Sequence, residues 1–123
     1  MKICISSTGK EKNSSVDLRF GRCMYFIFCD TDNNSFKAVS NQGVNSSHGA
    51  GIAAAQQVID EKTDVVITGN MGPNALQLIS TSGIEIYQAA DGSVEEVVKL
   101  FQNNKLEKIN KPVPAHSGME SRK

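Results

Sequence analysis

Residues 48–68 read His48-Gly49-Ala50-Gly51-Ile52-Ala53-Ala54-Ala55-Gln56-Gln57-Val58-Ile59-Asp60-Glu61-Lys62-Thr63-Asp64-Val65-Val66-Ile67-Thr68. Two periods meet in this stretch. Ile52, Ala55, Val58 and Ile59 recur at helical spacing, whereas Asp64–Thr68 is a short β-branched run. A helix feeding a buried strand predicts a crossover unit, and such units build parallel sheets with right-handed connections.

The segments after this stretch repeat the pattern. Gly72-Pro73 opens a second helix, with Pro73 suited to the first helical position. Leu76 and Ile79 supply its apolar face, and Gly83 is a stop signal. Ile84–Tyr87 reads as a strand. Ser93 and Glu96 form an S-x-x-E capping box. Val94, Val97, Val98 and Phe101 then mark one face of a third helix.

The segments before it differ. Lys2–Ser6 is a β-branched strand, and Ser7–Ser15 is a polar loop. Val16–Cys23 reads as a loop or short extended piece. Met24–Cys29 is apolar and too short for a helix, which predicts a strand buried on both faces. Thr31–Asn34 is a turn cluster, and Ser35–Asn41 is the returning hairpin strand. The predicted order is β-β-β-α-β-α-β-α. Five strands in one mixed sheet, covered by helices, make a three-layer α/β domain over residues 1–110. Residues 111–123, polar with Pro112 and Pro114, read as a disordered tail.

Composition bounds the function. The chain has 123 residues, enough for one domain with a core. Thirteen basic and thirteen acidic residues cancel, which argues against a general nucleic-acid binder while leaving room for a local patch. No apolar run reaches the roughly 20 residues that span a bilayer, and Met1–Ser6 is no secretory segment. A cytoplasmic protein is expected. Three cysteines without a Cys-x-x-Cys predict reduced thiols. Cys4 and Cys29 fall within strand patterns and read as small core residues.

Chemistry is expected at the carboxyl ends of the parallel strands. The loops after Ser6, at Gly69-Asn70-Met71-Gly72 and at Gln88–Gly92 lie there. The hairpin's reversals bring two more segments to the same edge: Arg19-Phe20-Gly21-Arg22-Cys23 and His48-Gly49-Ala50-Gly51. Helix starts near Gly49 and Pro73 would aim N–H groups at an anion, and Arg19 and Arg22 would add positive charge. Cys23, His48 and Met71 are soft or borderline ligands, so an anionic metal–sulfur species fits better than plain phosphate. Glycines 49, 51, 69 and 72 would allow close approach.

Plainer readings stand beside these. His48 could cap a helix, Met71 could pack a loop, and the arginines could brace it against Asp17 or Asp30. Cys23 could be a ligand, with its pKa lowered by the neighbouring Arg22, or a packing thiol. Phosphate-loop, dinucleotide and nucleophile-elbow motifs are missing.

The assembled pattern resembles the dinitrogenase iron–molybdenum cofactor biosynthesis family. The marks are Lys2–Ser6, Arg19–Cys23 leading into Tyr25–Asp30, His48–Gly51, and Val66–Ala75, covering residues 2–105. The resemblance implies a ribonuclease H-like α/β fold. It also implies non-enzymatic carriage of an iron–sulfur or iron–molybdenum cluster, transiently bound, with donor and acceptor proteins as partners. A nuclease is not expected, because Cys4 and Ser6 stand where metal-binding carboxylates would be needed. The resemblance carries site roles to Arg19, Phe20, Gly21, Arg22 and His48. Two alternatives are a metal-free sensor of small anions or nucleotides and a scaffold pairing through Ser35–Asn41.

Overall fold

A computed structural model of the chain describes residues 1–44 and 49–109. His48 and the expected tail at 111–123 lie outside the described residues. The strands are β1 (Lys2–Ser7), β2 (Tyr25–Asp30), β3 (Ser35–Ser40), β4 (Val65–Thr68), β5 (Glu85–Gln88) and β6 (Glu107–Ile109). The helices are α1 (Ala50–Asp60), α2 (Pro73–Thr81) and α3 (Val94–Gln102), with a single 3-10 turn, η1, at Phe20–Arg22.

One six-stranded sheet runs in the order β3-β2-β1-β4-β5-β6. β1, β4 and β5 are parallel, while β2, β3 and β6 each run antiparallel to a neighbour. β1, β2 and β4 are buried on both faces, as their apolar runs require. Cys4, Phe26, Phe28 and Val66 face α1 and α2, and Ile3, Ile5, Ile27, Val65 and Ile67 face α3. The three layers follow from this alternation.

The register settles which segments share an edge. Ser7 pairs with Tyr25, and Tyr25 with Ser40. The end of β1, the start of β2 and the end of β3 therefore lie together, beside the ends of β4 and β5. Arg19–Cys23 and, of the second reversing segment, Gly49–Gly51 reach the carboxyl edge.

One expectation is corrected. The sheet has six strands, not five. β6 is three residues long with two exposed, so it carries no apolar run and exists because the β5 edge offers a partner. The Val16–Cys23 segment is a loop, one of the two readings its sequence left open, and it carries η1. Phe20 drives into the core against Phe26, ring centroids 5.2 Å apart, and this winds the chain into η1. Among the described residues no helix is long and apolar enough to cross a membrane.

Candidate functional site

The three helices start differently. α3 is capped by Ser93, whose hydroxyl accepts the Glu96 N–H at 3.1 Å. α1 starts at Gly49, at φ 68°, and α2 at Gly72, and neither has a side-chain cap or an acidic first turn. The first-turn amides of a helix have no acceptor within it, and they carry the positive end of its dipole. In α1 these are Ala50, Gly51 and Ile52. In α2 they are Asn74 and Ala75, since Pro73 has no N–H.

All five residues line one open cleft of about 330 Å³, together with Phe20, Gly21, Arg22, Gly49 and Gly72. Six predicted site residues thus meet: Phe20, Gly21, Arg22, Gly49, Gly51 and Gly72. Arg22 is exposed at the rim, and among the described residues no carboxylate lies within ion-pair distance of it.

Gly69, Asn70 and Met71 line a second cleft, of about 210 Å³, on the other side of the α2 start. Leu76, Gln88 and Ile109 complete it, and Pro73 borders both clefts. Asn70 also ties the clefts to η1. Its N–H donates to Leu18 O at 2.6 Å, and its carbonyl accepts the Phe20 N–H at 3.1 Å.

Arg19 stands outside the cleft lining. Its Nε and Nη2 donate to Asp17 Oδ1 and Oδ2 at 3.3 and 3.4 Å. Asp17 is buried and also accepts the Arg19 N–H at 3.0 Å. The Ser6 hydroxyl donates to Asp17 O at 2.6 Å. Its one proton is then committed, so the Thr68 hydroxyl, 2.8 Å away, donates to Ser6. This chain anchors the Asp17–Arg19 loop to the ends of β1 and β4. Arg19 is a brace, with its guanidinium still largely in water.

Cys23 is fully buried, and its thiol donates to Phe20 O at 3.3 Å. Burial pushes the thiol up to about 12, with Asp17 adding to the rise, against the pull of the Ser7 N–H. The expectation that Arg22 would lower this pKa is corrected, because Arg22 points to solvent and desolvation dominates. Cys4 and Cys29 are buried too, with thiols raised first by burial. Among the described residues no three His, Cys, Asp or Glu side chains stand close enough to hold a metal ion.

The glycines do two kinds of work. A Cβ on Gly21 would sit 3.0 Å from Gly51 Cα, and one on Gly69 would sit 2.7 Å from Leu18 Cα. These glycines let one backbone lie on another, a requirement of packing and not of a ligand. Gly72 is different. It has φ −63°, and a Cβ there meets nothing within 4 Å. Among the described residues nothing demands glycine there, and the position lines the cleft.

Asn41, Gly43 and Gln57 were not singled out from the sequence. Asn41 Nδ2 donates to Gly21 O and Cys23 O, and Gln57 Nε2 donates to Ser40 O. A polar residue closing a strand pattern carries no local signal of such contacts.

Known proteins are similar to this chain in sequence and fold. The family model described as dinitrogenase iron-molybdenum cofactor matches residues 1–104. An uncharacterized protein of Methanocaldococcus jannaschii, MJ0580, is 32% identical over 100 residues, covering 79% of this chain and 85% of that protein. The apo form of the orange protein of Desulfovibrio gigas superposes with a TM-score of 0.87 at 30% identity, over 92% of this chain and 96% of that one. The Thermotoga protein TM1290, of the DUF35 family, does so with a TM-score of 0.81 at 29% identity, over 93% and 97%. With the match running from β1 through α3 and taking in both sides of the cleft, this chain belongs to the dinitrogenase iron–molybdenum cofactor family.

Proposed function

We propose that the chain is a non-enzymatic carrier for an anionic metal–sulfur cluster, an iron–sulfur or iron–molybdenum cofactor precursor, seated in the cleft between η1, α1 and α2. One observation carries the reading: the first turns of two glycine-started helices, neither with a side-chain cap, line the same cleft beside an exposed guanidinium. Five N–H donors can hydrogen-bond cluster sulfides, and Arg22 offsets their charge. Family membership supports the cofactor class, and the orange protein's description as an apo form implies that this relative takes up a further group.

The described thiols are buried and protonated, so the cleft grips by charge and hydrogen bonds. His48, carried over from the family motif, is the candidate ligand from the protein. Such a grip suits transient holding better than four thiolates do. The activity inferred is uptake and release, with donor and acceptor proteins of cofactor assembly as partners. The ribonuclease H-like arrangement is the fold assignment we attach to this reading.

Anaerobic reconstitution with iron and sulfide tests it. Visible charge-transfer absorbance is expected in the wild type and should weaken in Arg22→Glu and in His48→Ala. Equal absorbance in Arg22→Glu would remove the cleft from the account, and equal absorbance in His48→Ala would remove the ligand. The lack of a three-ligand group among the described residues favours a second reading, a sensor of metal-free anions or nucleotides. Tight nucleotide binding by calorimetry without metal, and no cluster uptake, would select it.

A further inference from the structure

The carbonyls on either side of Arg22 are held by a single side chain. Asn41 Nδ2 donates to Cys23 O at 2.9 Å and to Gly21 O at 3.3 Å. Its Oδ1 accepts the Gly43 N–H at 2.9 Å, and its own N–H donates to Met24 O at 2.9 Å. The amide can face only one way, because the Gly43 N–H must donate and the two carbonyls must accept. Asn41 is 3% exposed, so these bonds form away from water, where an unmatched partner is costly.

The same short segment is pressed onto α1. A Cβ on Gly43 would lie 2.6 Å from Ala50 O. From within α1, Gln57 Oε1 accepts the Gln42 N–H at 2.9 Å, and its Nε2 donates to Ser40 O at 2.8 Å. Residues 40–43 therefore form a bracket. Gln57 fixes it to α1, and Asn41 fixes the Arg22 turn to it.

We infer that Asn41 is a positioning residue for the cleft: it holds the Arg22 turn at a set distance from the first amides of α1 and does not itself touch the bound anion. This rests on the cargo reading above and adds to it the device that sets the cleft's geometry. Charge-assisted hydrogen bonds need their donors within a fraction of an ångström of the productive position. A turn as short as η1, with one internal bond from Arg22 N–H to Arg19 O at 3.3 Å, does not supply that rigidity alone.

Two variants and one control test the inference on the full chain. Asn41→Ala removes the clamp. Asn41→Asp keeps the acceptor for Gly43 and loses both donors. Thr63→Val removes another buried hydrogen bond, from the Thr63 hydroxyl to Val58 O at 2.9 Å, at the opposite end of α1. The first readout is loading with iron and sulfide without oxygen. The second needs no cargo: the iodoacetamide labelling rate of Cys23, which sits 3.7 Å from Asn41 Nδ2, measured against Cys29 in the same chain.

Both Asn41 variants should load about tenfold more weakly and label at Cys23 about tenfold faster, the scale of one lost buried hydrogen bond. Cys29 labelling should not change, and Thr63→Val should match the wild type in both readouts. Asn41 variants that behave like Thr63→Val would overturn the inference. If the wild type takes up no iron and sulfide, the cargo reading falls by itself. Cys23 labelling then decides: acceleration confined to Cys23 upholds the positioning role, and an unchanged rate ends it.

Discussion

Helix α3 begins at Ser93, whose hydroxyl takes the Glu96 N–H while the Glu96 carboxylate takes the Ser93 N–H at 2.8 Å. Helix α2 begins at Gly72 with nearly the same backbone, φ −63° and ψ 159° against −82° and 162°. The conformation at Gly72 would accept a serine as readily as Ser93 does, yet it has no side chain to cap with. α3 places Glu95 and Glu96 in its first turn, and α1 and α2 place no acid there. One helix start is closed by its own residues, and two have no side-chain cap among the described residues and line a cleft with Arg22 at its rim. The difference separates a helix end that serves stability alone from ends whose donors remain available to something else.

The largest effect should come from the glycines around the open start of α2. Gly69→Ala would put a Cβ 2.6 Å from Leu18 Cβ, and overpacking of this kind costs about 1–3 kcal/mol. Denaturant unfolding should show that loss, while Gly72→Ala should be neutral or slightly stabilising. Equal losses at both positions would mean that Gly72 is also a packing glycine, and the contrast between the starts would collapse.

Next is the transplant of α3's closure onto α2. Gly72→Asp should cap the helix with a gain of a few tenths of a kcal/mol and lower cluster uptake about tenfold to a hundredfold, through lost amides and added negative charge. A protein that is both stabilised and empty would sharpen the comparison. The reciprocal change is smaller. Ser93→Ala should cost about 1 kcal/mol in thermal unfolding and leave uptake unchanged.

The smallest effects are set by pH, and the two regions should fail at opposite ends. The Ser93 N–H bond, with the Ser93 hydroxyl contact, holds the Glu96 carboxyl below its usual range. A depressed carboxyl stabilises the fold above its unfolded range and loses this as pH falls through its folded value. The stability gap between the wild type and Glu96→Gln should therefore narrow in acid. Cys23 is raised to about 12, so its contribution is complete below the ordinary thiol range of about 8.5 and is lost as pH climbs toward 12. Thiolate absorbance should stay low through neutral pH, and loosening around η1 should begin in base.

Much of this contrast was legible in the residues. Ser93 and Glu96 announce their cap, Gly72-Pro73 announces a helix start, and the apolar runs of β1, β2 and β4 fix three strands. Strand directions alone predicted that His48, Cys23, Arg22 and the Gly69–Gly72 loop converge, and among the described residues Arg22, Gly49 and Gly72 do line one cleft. β6 was not legible, because Glu107-Lys108-Ile109 becomes a strand only when β5 offers an edge. Nor was η1, which depends on Phe20 reaching Phe26 across the chain. The expected lowering of the Cys23 pKa failed because its sequence neighbour is an arginine, whereas its spatial surroundings are buried core, which leaves the packing reading of this thiol. The split of Gly69–Met71 into a separate cleft likewise depends on Pro73 and the first turn of α2 standing between the two clefts.

The open helix starts are tested most directly by metal and acid-labile sulfide analysis of anaerobically purified wild-type protein beside Gly72→Asp. Metal and sulfide present together in the wild type and absent from the folded variant is the expected result. The same content in both, or none in the wild type after reconstitution with iron and sulfide, would contradict the claim that these amides hold a metal–sulfur cargo.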